Sequence, residues 1–278
     1  MKKGISVCMI LYNDGEIVKK ALDSVKRIAN EILIVHDGPC NNETLKICKK
    51  YTKNIFIRSH KGLCEYHQAF LYRKAKFNWI LKLDSDEFLS KKLEKNIRKL
   101  IKNPEADAYS FKWPYWDGKK YITKNWPRKT NLYRKNKISY LAFANWGEPN
   151  ILGNTIETNY TLEHRPPRGD PTKWETFFKR DIKLVLFKQA KDAIKPFKTF
   201  DKFQYNEKDF PNKLKIRIRH PLLSIIPLAI VASARNLLNL ELFKNPKIIL
   251  KTSLFLLIRS AYYGYYIYKL QKNPNWKN

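Results

Sequence analysis

Apolar runs alternate with helical segments through the first third of the chain, and this alternation constrains the fold more than any other feature. Ile5–Leu11 is a continuous apolar run, which is typical of a strand covered on both faces. Asp14–Ile28 has apolar residues at helical spacing. Further strands are predicted at Glu31–His36, Asn54–Arg58 and Trp79–Leu83, and further helices at Glu43–Tyr51 and Leu63–Lys76. The pattern predicts parallel β-α-β units in an open, twisted, mostly parallel α/β sheet.

Polar residues follow three of these strands directly. Tyr12 and Asn13 follow the first strand, Asp37 the second and Asp84 the fourth. Ligands on such sheets bind beyond the carboxyl ends of the strands. We therefore expect these side chains to converge on one crevice.

The fourth strand leads into two carboxylates, Asp84 and Asp86. In an extended backbone, side chains at i and i+2 point the same way, so both are expected to face one ligand. Without a Lys or Arg directly beside them they would repel each other, and Mg²⁺ or Mn²⁺ would relieve that repulsion. The chain has only 9 glycines and no glycine-rich phosphate-binding motif, so a metal would carry much of a diphosphate's charge. Because Asp-x-Asp also arises by chance, the alternative is a solvated loop.

The middle of the chain, Asp107–His164, is rich in Trp, Tyr, Asn and Gly and is predicted to bind an acceptor. Trp113, Trp116 and Trp126 would either stack on sugar rings or pack in turns. We predict a first domain at 1–212, with two halves at about 1–106 and about 107–212. A helical region, 213–278, follows it.

The C-terminal region has two apolar stretches with basic flanks. Leu222–Ala234 is interrupted by Pro227, and Ile248–Leu270 is interrupted by Lys251, Arg259 and Gly264. Neither offers the roughly 20 uninterrupted apolar residues of a spanning helix. Helices lying on a membrane surface are predicted, and an ordinary helical cap on the domain is the alternative.

The charge and the cysteines limit the partners and the compartment. A net charge of +30 attracts polyanions such as anionic lipid, phosphate-bearing substrates or nucleic acid. Nucleic-acid binding leaves the acidic strand ends unexplained, so it is kept as an alternative and no nucleic acid is expected. The 4 cysteines contain no C-x-x-C pair, and the first apolar run is too short for a signal peptide. A reducing, cytoplasmic location fits best.

Several segments together resemble the family 2 glycosyltransferases, which have the GT-A fold. These are Ile5–Asn13, Ile32–Gly38 and Asp84–Glu87. The closest resemblance is to the branch of lipopolysaccharide-core β-glucosyltransferases. Arg128–Arg134, Trp146–Glu148, Leu162–His164 and the tail Ile216–Leu270 are similar to segments of that branch. His36–Cys40 departs from the family's usual Asp-Asp-Gly-Ser-Thr, so the diphosphate loop is expected to differ.

The resemblance implies that 1–212 is a catalytic domain, with a nucleotide-sugar half at about 1–106 and an acceptor half at about 107–212. It also implies roles for individual residues. Nucleotide-sugar contacts fall on Tyr12, Asn13, Asp37, Asp84, Arg128 and Arg134, metal ligation on Asp84, Asp86 and His164, and the catalytic base on Glu148. Glu148 before Pro149 is alternatively a turn residue, and His164 is alternatively a surface histidine.

The sequence thus predicts an inverting, metal-dependent, hexosyltransferase-like enzyme. It would move a sugar from a nucleotide-diphosphate sugar to a hydroxyl of a lipid-linked or cell-envelope glycan, peripherally bound to the inner face of the cell membrane. A polyprenyl-phosphate sugar synthase of the same superfamily is an alternative, as is a membrane scaffold with an inactive transferase fold.

Overall fold

The structure is a computed structural model that describes residues 1–62, 64–102, 104–139, 149–167, 173–179, 182, 212–238 and 245–272. The chain divides into two compact units, one with the described residues up to 167 and one with those from 173 onward. The bounds 1–212 and 213–278 for a catalytic domain and a helical region stay predictions.

The first unit begins with alternating strands and helices, as predicted. In chain order they are β1 (Lys2–Leu11), α1 (Ile17–Val25), β2 (Glu31–Asp37), α2 (Thr44–Cys48), β3 (Ile55–Arg58), α3 (Glu65–Lys74) and β4 (Phe77–Lys82). Strand β1 pairs in parallel with β2 and β4, and β2 pairs in parallel with β3. The prediction of parallel β-α-β units is therefore confirmed.

Further strands extend this sheet, and not all of them were predicted from the sequence. They follow as β5 (Glu87–Leu89), α4 (Lys91–Lys102), β6 (Ala108–Lys112), β7 (Arg128–Arg134), β8 (Ile138–Ser139), β9 (Asn150–Ile151) and β10 (Thr155–His164). The eight-stranded sheet has the order β3-β2-β1-β4-β7-β6-β10-β5. Strand β7 runs antiparallel to both β4 and β6, and β5 runs antiparallel to β10, so the sheet is mixed. The other four of its seven pairings are parallel, including β6 with β10, which agrees with the prediction of a mostly parallel sheet.

Apolar residues cover both faces of the sheet. Alternate residues of β1, from Ile5 to Leu11, pack with α1, α2 and α4 on one face. Cys8 points to the other face, where it packs with Leu71 and Tyr72 of α3. A strand buried on both faces has no polar side, which explains the continuous apolar run.

The second unit contributes helices. They are the short α5 (Trp174–Thr176), α6 (Asn212–Arg219), α7 (Ile225–Leu237) and α8 (Pro246–Gln271). Pro227, which interrupts the apolar stretch, does not break the helix, because it lies in the first turn of α7, where its missing N–H costs nothing. Helix α8 likewise continues through Lys251, Arg259 and Gly264. Among the described helices, none is both long and apolar enough to cross a bilayer.

Candidate active site

Three neighbouring strands bring their carboxyl ends to one edge of the sheet. Strand β1 ends at Leu11, β2 at Asp37 and β4 at Lys82. The chain leaves β1 toward β2 and β3 on one side and returns to β4 on the other. Open α/β sheets form their ligand crevice where the connections diverge in this way.

The loop after β1 is tied to the acidic segment after β4. Asn13 has a left-handed backbone, with φ of 51°, which folds Asp14 back so that the Tyr12 N–H donates to Asp14 Oδ2 at 2.8 Å. The Ser85 hydroxyl donates to Asp14 Oδ1 at 2.6 Å. Asn13 and the Asp84–Asp86 segment therefore lie in the same region, as predicted for a shared crevice.

His36 fixes the loops that follow β1 and β2. The Asn13 N–H donates to His36 Nε2 at 3.2 Å, so that ring nitrogen carries no proton. His36 Nδ1 then carries the proton and donates it to the Gly38 carbonyl oxygen at 2.7 Å. The ring is fully buried. His36 replaces an aspartate of the family pattern, and this orienting role was not foreseen from the sequence.

Asp37 is almost completely buried and accepts hydrogen bonds from within the protein. The backbone N–H groups of Lys61 and Gly62 donate to its carboxylate at 2.6 and 2.8 Å. His67 Nε2 donates to it at 2.8 Å. The carboxylate thereby fixes the loop between β3 and α3, and its predicted contact with a nucleoside stays a prediction.

These partners also set the charge states of the pair. Burial alone would raise the pKa of Asp37, but hydrogen bonds from His67, Lys61 and Gly62 outweigh it and the pKa lies below its ordinary value. Burial lowers the pKa of His67, and the attraction of Asp37 does not fully offset it. The expected state at neutral pH is an ionised Asp37 facing a neutral His67.

Tyr12 presents an open aromatic face beside this buried pair. Its side chain is 53% exposed. Its ring centroid lies 4.6 Å from that of His60, whose side chain is 44% exposed. An exposed ring with a polar hydroxyl suits stacking against a flat heterocycle.

The Asp84-Ser85-Asp86 segment is a turn and not an extended strand. Strand β4 ends at Lys82, and the Glu87 N–H donates to the Asp84 carbonyl oxygen at 3.1 Å. A turn does not by itself put side chains at i and i+2 on one side, so the expectation that both carboxylates face one ligand stays a prediction. Asp84 turns toward β7, and Asp86 turns toward β10.

Asp84 also has basic neighbours, contrary to the expectation of uncompensated repulsion. Lys129 Nζ of β7 donates to Asp84 Oδ2 at 2.7 Å, and Lys82 Nζ lies 3.9 Å from Asp84 Oδ1. Burial would raise the pKa of Asp84, but the charges of Lys129 and Lys82 outweigh it and the pKa lies well below its ordinary value. Lys129 comes from a strand that was not predicted, so its contact with Asp84 was missed.

Asp86, at the other end of the acidic segment, lies beside His164 of β10. His164 Nε2 lies 3.4 Å from Asp86 Oδ2, and β10 is held there by the Arg165 N–H, which donates to the Asp86 carbonyl oxygen at 2.9 Å. The His164 ring stacks on Trp113 with centroids 3.9 Å apart. Trp113 Nε1 donates to Glu87 at 2.6 Å, so this tryptophan organises the site and its stacked face is not free for a sugar.

These residues allow a test of the predicted metal site. Asp84 already pairs with Lys129 at 2.7 Å and lies 3.9 Å from Lys82 Nζ, so its role as a metal ligand stays a prediction. Asp86 and His164 fit, since a carboxylate and an imidazole suffice when substrate phosphates complete the coordination. In the described part of the chain, no group of three or more His, Cys, Asp or Glu side chains is arranged to hold a metal. A cation would therefore depend on the ligand's own oxygens.

The predicted arginines are separated by the length of β7. Arg134 pairs in register with Trp79, at the start of β4, and its Nε lies 3.4 Å from Asp107 Oδ1. The structure therefore places Arg134 away from the carboxyl edge and does not bring it together with Asp84. Arg128, next to Lys129, donates from Nε to Glu157 Oε2 at 2.9 Å. Glu148, the predicted base, lies outside the described residues.

Comparison with known proteins agrees with this geometry. The profile described as "Glycosyl transferase family 2" matches residues 6–154, more than half of the 278-residue chain. An uncharacterized glycosyltransferase of Rickettsia bellii (strain RML369-C) is 28% identical over 151 residues, 52% of this chain and 50% of that protein. One of Rickettsia conorii (strain ATCC VR-613 / Malish 7) is 30% identical over 105 residues, 38% of this chain and 36% of that protein. The matched region thus spans half or less of these relatives.

One solved structure similar to this chain is S. aureus TarS 1-349 in complex with UDP. Its TM-score is 0.44 and its sequence identity is 16%, and the similarity covers 94% of this chain and 91% of that one. Glucosyl-3-phosphoglycerate synthase from Mycobacterium tuberculosis, with Mn²⁺, UDP and glucosyl-3-phosphoglycerate, has a TM-score of 0.41 and 14% identity, over 59% of this chain and 72% of that one. The family assignment depends on the profile match and not on these structures. From that match across the strands that build the crevice, the chain belongs to glycosyl transferase family 2.

Proposed function

We propose that this chain transfers a sugar, with inversion, from a nucleotide-diphosphate sugar to a hydroxyl of a lipid-linked or cell-envelope glycan, in a reaction that needs Mg²⁺ or Mn²⁺. The observation that carries the proposal is the meeting of Tyr12, Asp14 and Ser85 at one sheet edge, with Asp86 and His164 beside them. Family membership supports the reaction class. The acceptor follows the resemblance to the lipopolysaccharide-core branch.

The open side chains at this edge would bind the donor. The exposed Tyr12 ring would stack on the base, next to His60. The Asp84 side chain, held by Lys129 and still 40% exposed, would accept a hydrogen bond from a ribose hydroxyl. Arg128, at the start of β7, would approach the phosphates after exchanging its contact with the exposed Glu157.

Asp86 and His164 would hold the divalent cation. When bound, such a cation neutralises charge that develops on the departing diphosphate. The stack on Trp113 fixes the plane of the His164 ring, and β10 fixes the position of its backbone. Both groups are thus oriented before the donor arrives, which lowers the cost of ordering them.

Glu148 would remove the proton of the acceptor hydroxyl as that oxygen attacks the anomeric carbon. A single displacement of this kind inverts the anomeric centre. Glu148→Gln should then abolish transfer to a hydroxyl acceptor while leaving donor binding unchanged. Retained transfer in this variant would favour a polyprenyl-phosphate acceptor, because a lipid phosphate is already ionised and needs no base.

Donor binding provides the direct test. Nucleotide sugars should raise the melting temperature by mass action, and the increase should be larger with Mn²⁺. Asp86→Asn should remove the Mn²⁺-dependent part of the shift. Asp23→Asn, an exposed carboxylate of α1 that contacts only Lys19, Lys26 and Tyr51 in the described structure, is the matched control. An unchanged Mn²⁺ response in Asp86→Asn would contradict the metal assignment, and no response to any nucleotide sugar would contradict the function.

We further propose that the second unit binds the anionic inner face of the cell membrane. Helix α7 and the residues directly before and after it expose large apolar side chains, and basic residues lie close to them in sequence. The most exposed are Leu223 at 80%, Leu238 at 82%, Ile226 at 63% and Ile230 at 61%. Arg219 and Lys247 are also exposed, and together with the net charge of +30 they favour anionic lipid.

Vesicle binding tests this surface. The protein should sediment with vesicles containing anionic phosphatidylglycerol and much less with pure phosphatidylcholine. Leu223→Asp with Ile230→Asp should reduce the bound fraction, because two apolar contacts with the bilayer become charged. Ile57→Asp, which alters a side chain that is 60% exposed on β3 in the first unit, is the control. Equal binding of all variants would refute the assignment of this surface.

A further inference from the structure

Lys129 lies between two carboxylates beneath the acidic turn, which is formed by residues 84–87. Its ammonium nitrogen is 2.7 Å from Asp84 Oδ2 and 2.5 Å from Glu87 Oε1. Only 12% of its side chain is exposed, and the Glu87 side chain is fully buried. This is a built-in ion pair and not a surface contact, so its geometry is defined by packing.

Glu87 cannot move away from Lys129 without losing its other partners. Its oxygens accept hydrogen bonds from Trp113 Nε1 at 2.6 Å, the Asp84 N–H at 3.1 Å and Asn131 Nδ2 at 3.3 Å. These donors come from β6 and its continuation, the acidic turn and β7. The carboxylate is therefore a fixed anchor, and Lys129 links it to the more exposed Asp84.

The local charges balance with one exception. Lys82 and Lys129 supply two positive charges, and Asp84 and Glu87 supply two negative charges. Among the described residues, Asp86 remains as the carboxylate with only the imidazole of His164 beside it. Free divalent cations are held mainly by clustered negative charge, so one uncompensated carboxylate with one histidine is a weak site by itself.

We infer that Lys129 is a positioning residue of the donor site, whose ammonium fixes Asp84 and takes the place that a second cation would otherwise occupy between Asp84 and Glu87. The divalent cation then binds well only together with the donor's phosphates. This inference rests on the proposed function for its role in donor binding. Its statement about cation binding concerns this chain alone.

Removal of the ammonium should create a site for free metal. In Lys129→Met, the acidic turn gains one net negative charge, with Asp84, Asp86 and Glu87 opposed only by Lys82. We expect Mn²⁺ alone, without nucleotide, to bind at least about tenfold more tightly than to the wild type. Lys129→Met with Glu87→Gln restores the charge balance, and its Mn²⁺ affinity should return close to that of the wild type.

The experiment is a titration of the full chain with Mn²⁺ followed by electron paramagnetic resonance, and then with UDP at saturating Mn²⁺. Lys129→Arg should retain both affinities within a few-fold, since it keeps the charge. In the double variant, UDP should bind at least about tenfold more weakly, because Asp84 has lost its anchor while the protein stays charge-balanced. Circular dichroism of each variant separates loss of binding from loss of folding, and the double variant keeps the test valid if Lys129→Met does not fold.

Three results would overturn the inference. One is wild-type protein that binds free Mn²⁺ as tightly as Lys129→Met does. Another is equal Mn²⁺ affinity in Lys129→Met and in the double variant. The third is wild-type UDP affinity in the double variant. Failure of the wild type to bind UDP or any nucleotide sugar would instead contradict the proposed function, and the comparison of Mn²⁺ affinities would still decide whether Lys129 replaces a cation.

Discussion

Replacement of Asp37 by asparagine isolates the contribution of one buried carboxylate to the site. In the wild type, one carboxylate oxygen accepts from the Lys61 N–H and from His67, and the other accepts from the Gly62 N–H. An asparagine has one oxygen and one NH₂ group. Whichever way the amide is turned, its NH₂ group faces at least one N–H donor, so Asp37→Asn loses at least one bond and leaves a buried donor unpaired.

The magnitude follows from those contacts. A hydrogen bond to a charged group contributes about 1.5–3 kcal/mol, and the remaining bonds weaken because the acceptor is no longer charged. We expect Asp37→Asn to lower the free energy of unfolding of the first unit by about 2–4 kcal/mol at pH 7. The control is Asp23→Asn, whose carboxylate also has a lowered pKa, of about 2, but is 35% exposed. Solvent screens such pairs, so that change should stay below about 1 kcal/mol.

Chemical denaturation at several pH values provides the assay. The folded-state pKa of Asp37 is lowered, so its ionisation contributes stability above the unfolded-state pKa, and this stability is lost as the pH falls through the folded-state value. The difference between wild type and Asp37→Asn should therefore be largest near neutral pH and shrink below about pH 4. A variant as stable as the wild type at pH 7, or a difference that does not change down to the acid transition, would refute the reasoning.

Three further predictions concern other buried groups. Asn131→Asp should destabilise the first unit by about 3–5 kcal/mol and more than Asn131→Ala in denaturant unfolding, because it sets a second carboxylate 3.3 Å from the buried Glu87. Gly264→Ala should lower the melting temperature, since a Cβ at this position would lie 2.5 Å from the Pro221 carbonyl oxygen, and overpacking of this kind costs about 1–3 kcal/mol. Burial raises the pKa of the Cys48 thiol to about 12 and that of Cys8 further, so mass spectrometry should find Cys40 labelled by a thiol reagent well before either of them.

The parallel part of the sheet was predictable because burial on both faces leaves an unmistakable pattern. Each of those strands is a short apolar run bounded by polar residues, and helices with an apolar face separate them. Helix α4 also had a readable signal that the prediction omitted, since Leu93, Ile97 and Leu100 recur at helical spacing. Strand β7 had none of comparable strength, because Arg128–Thr130 are polar and Asn131 is buried in the interior.

The sequence predicted which residues of the candidate site follow single strands. It did not predict the contacts between distant strands. Asp84 and Asp86 were correctly identified as a notable pair, yet their directions depend on a turn that the i, i+2 spacing does not specify. Lys129 and Asp84 are 45 positions apart, and their contact depends on the antiparallel pairing of β4 with β7. Such long-range register is set by packing of the whole sheet. The resemblance, and not the residues themselves, pointed to Asp86 and His164 as ligands of one metal, and the structure places their side chains 3.4 Å apart.

The site thus contains two groups of residues. The first has its hydrogen bonds already made within the protein, and the second still has side chains open to a ligand. Asp37 and Glu87 have their hydrogen-bonding capacity taken up by protein donors, so a ligand gains little by contacting them. Tyr12 and Asp84 remain substantially exposed at 53% and 40%. Within the part of the chain that the structure describes, the Asp86 carboxylate contacts only an imidazole, at 3.4 Å. The free energy of ligand binding must therefore come mainly from the second group. The first group contributes by holding the loops in place before binding, which is why its loss should appear in stability and geometry before it appears in chemistry.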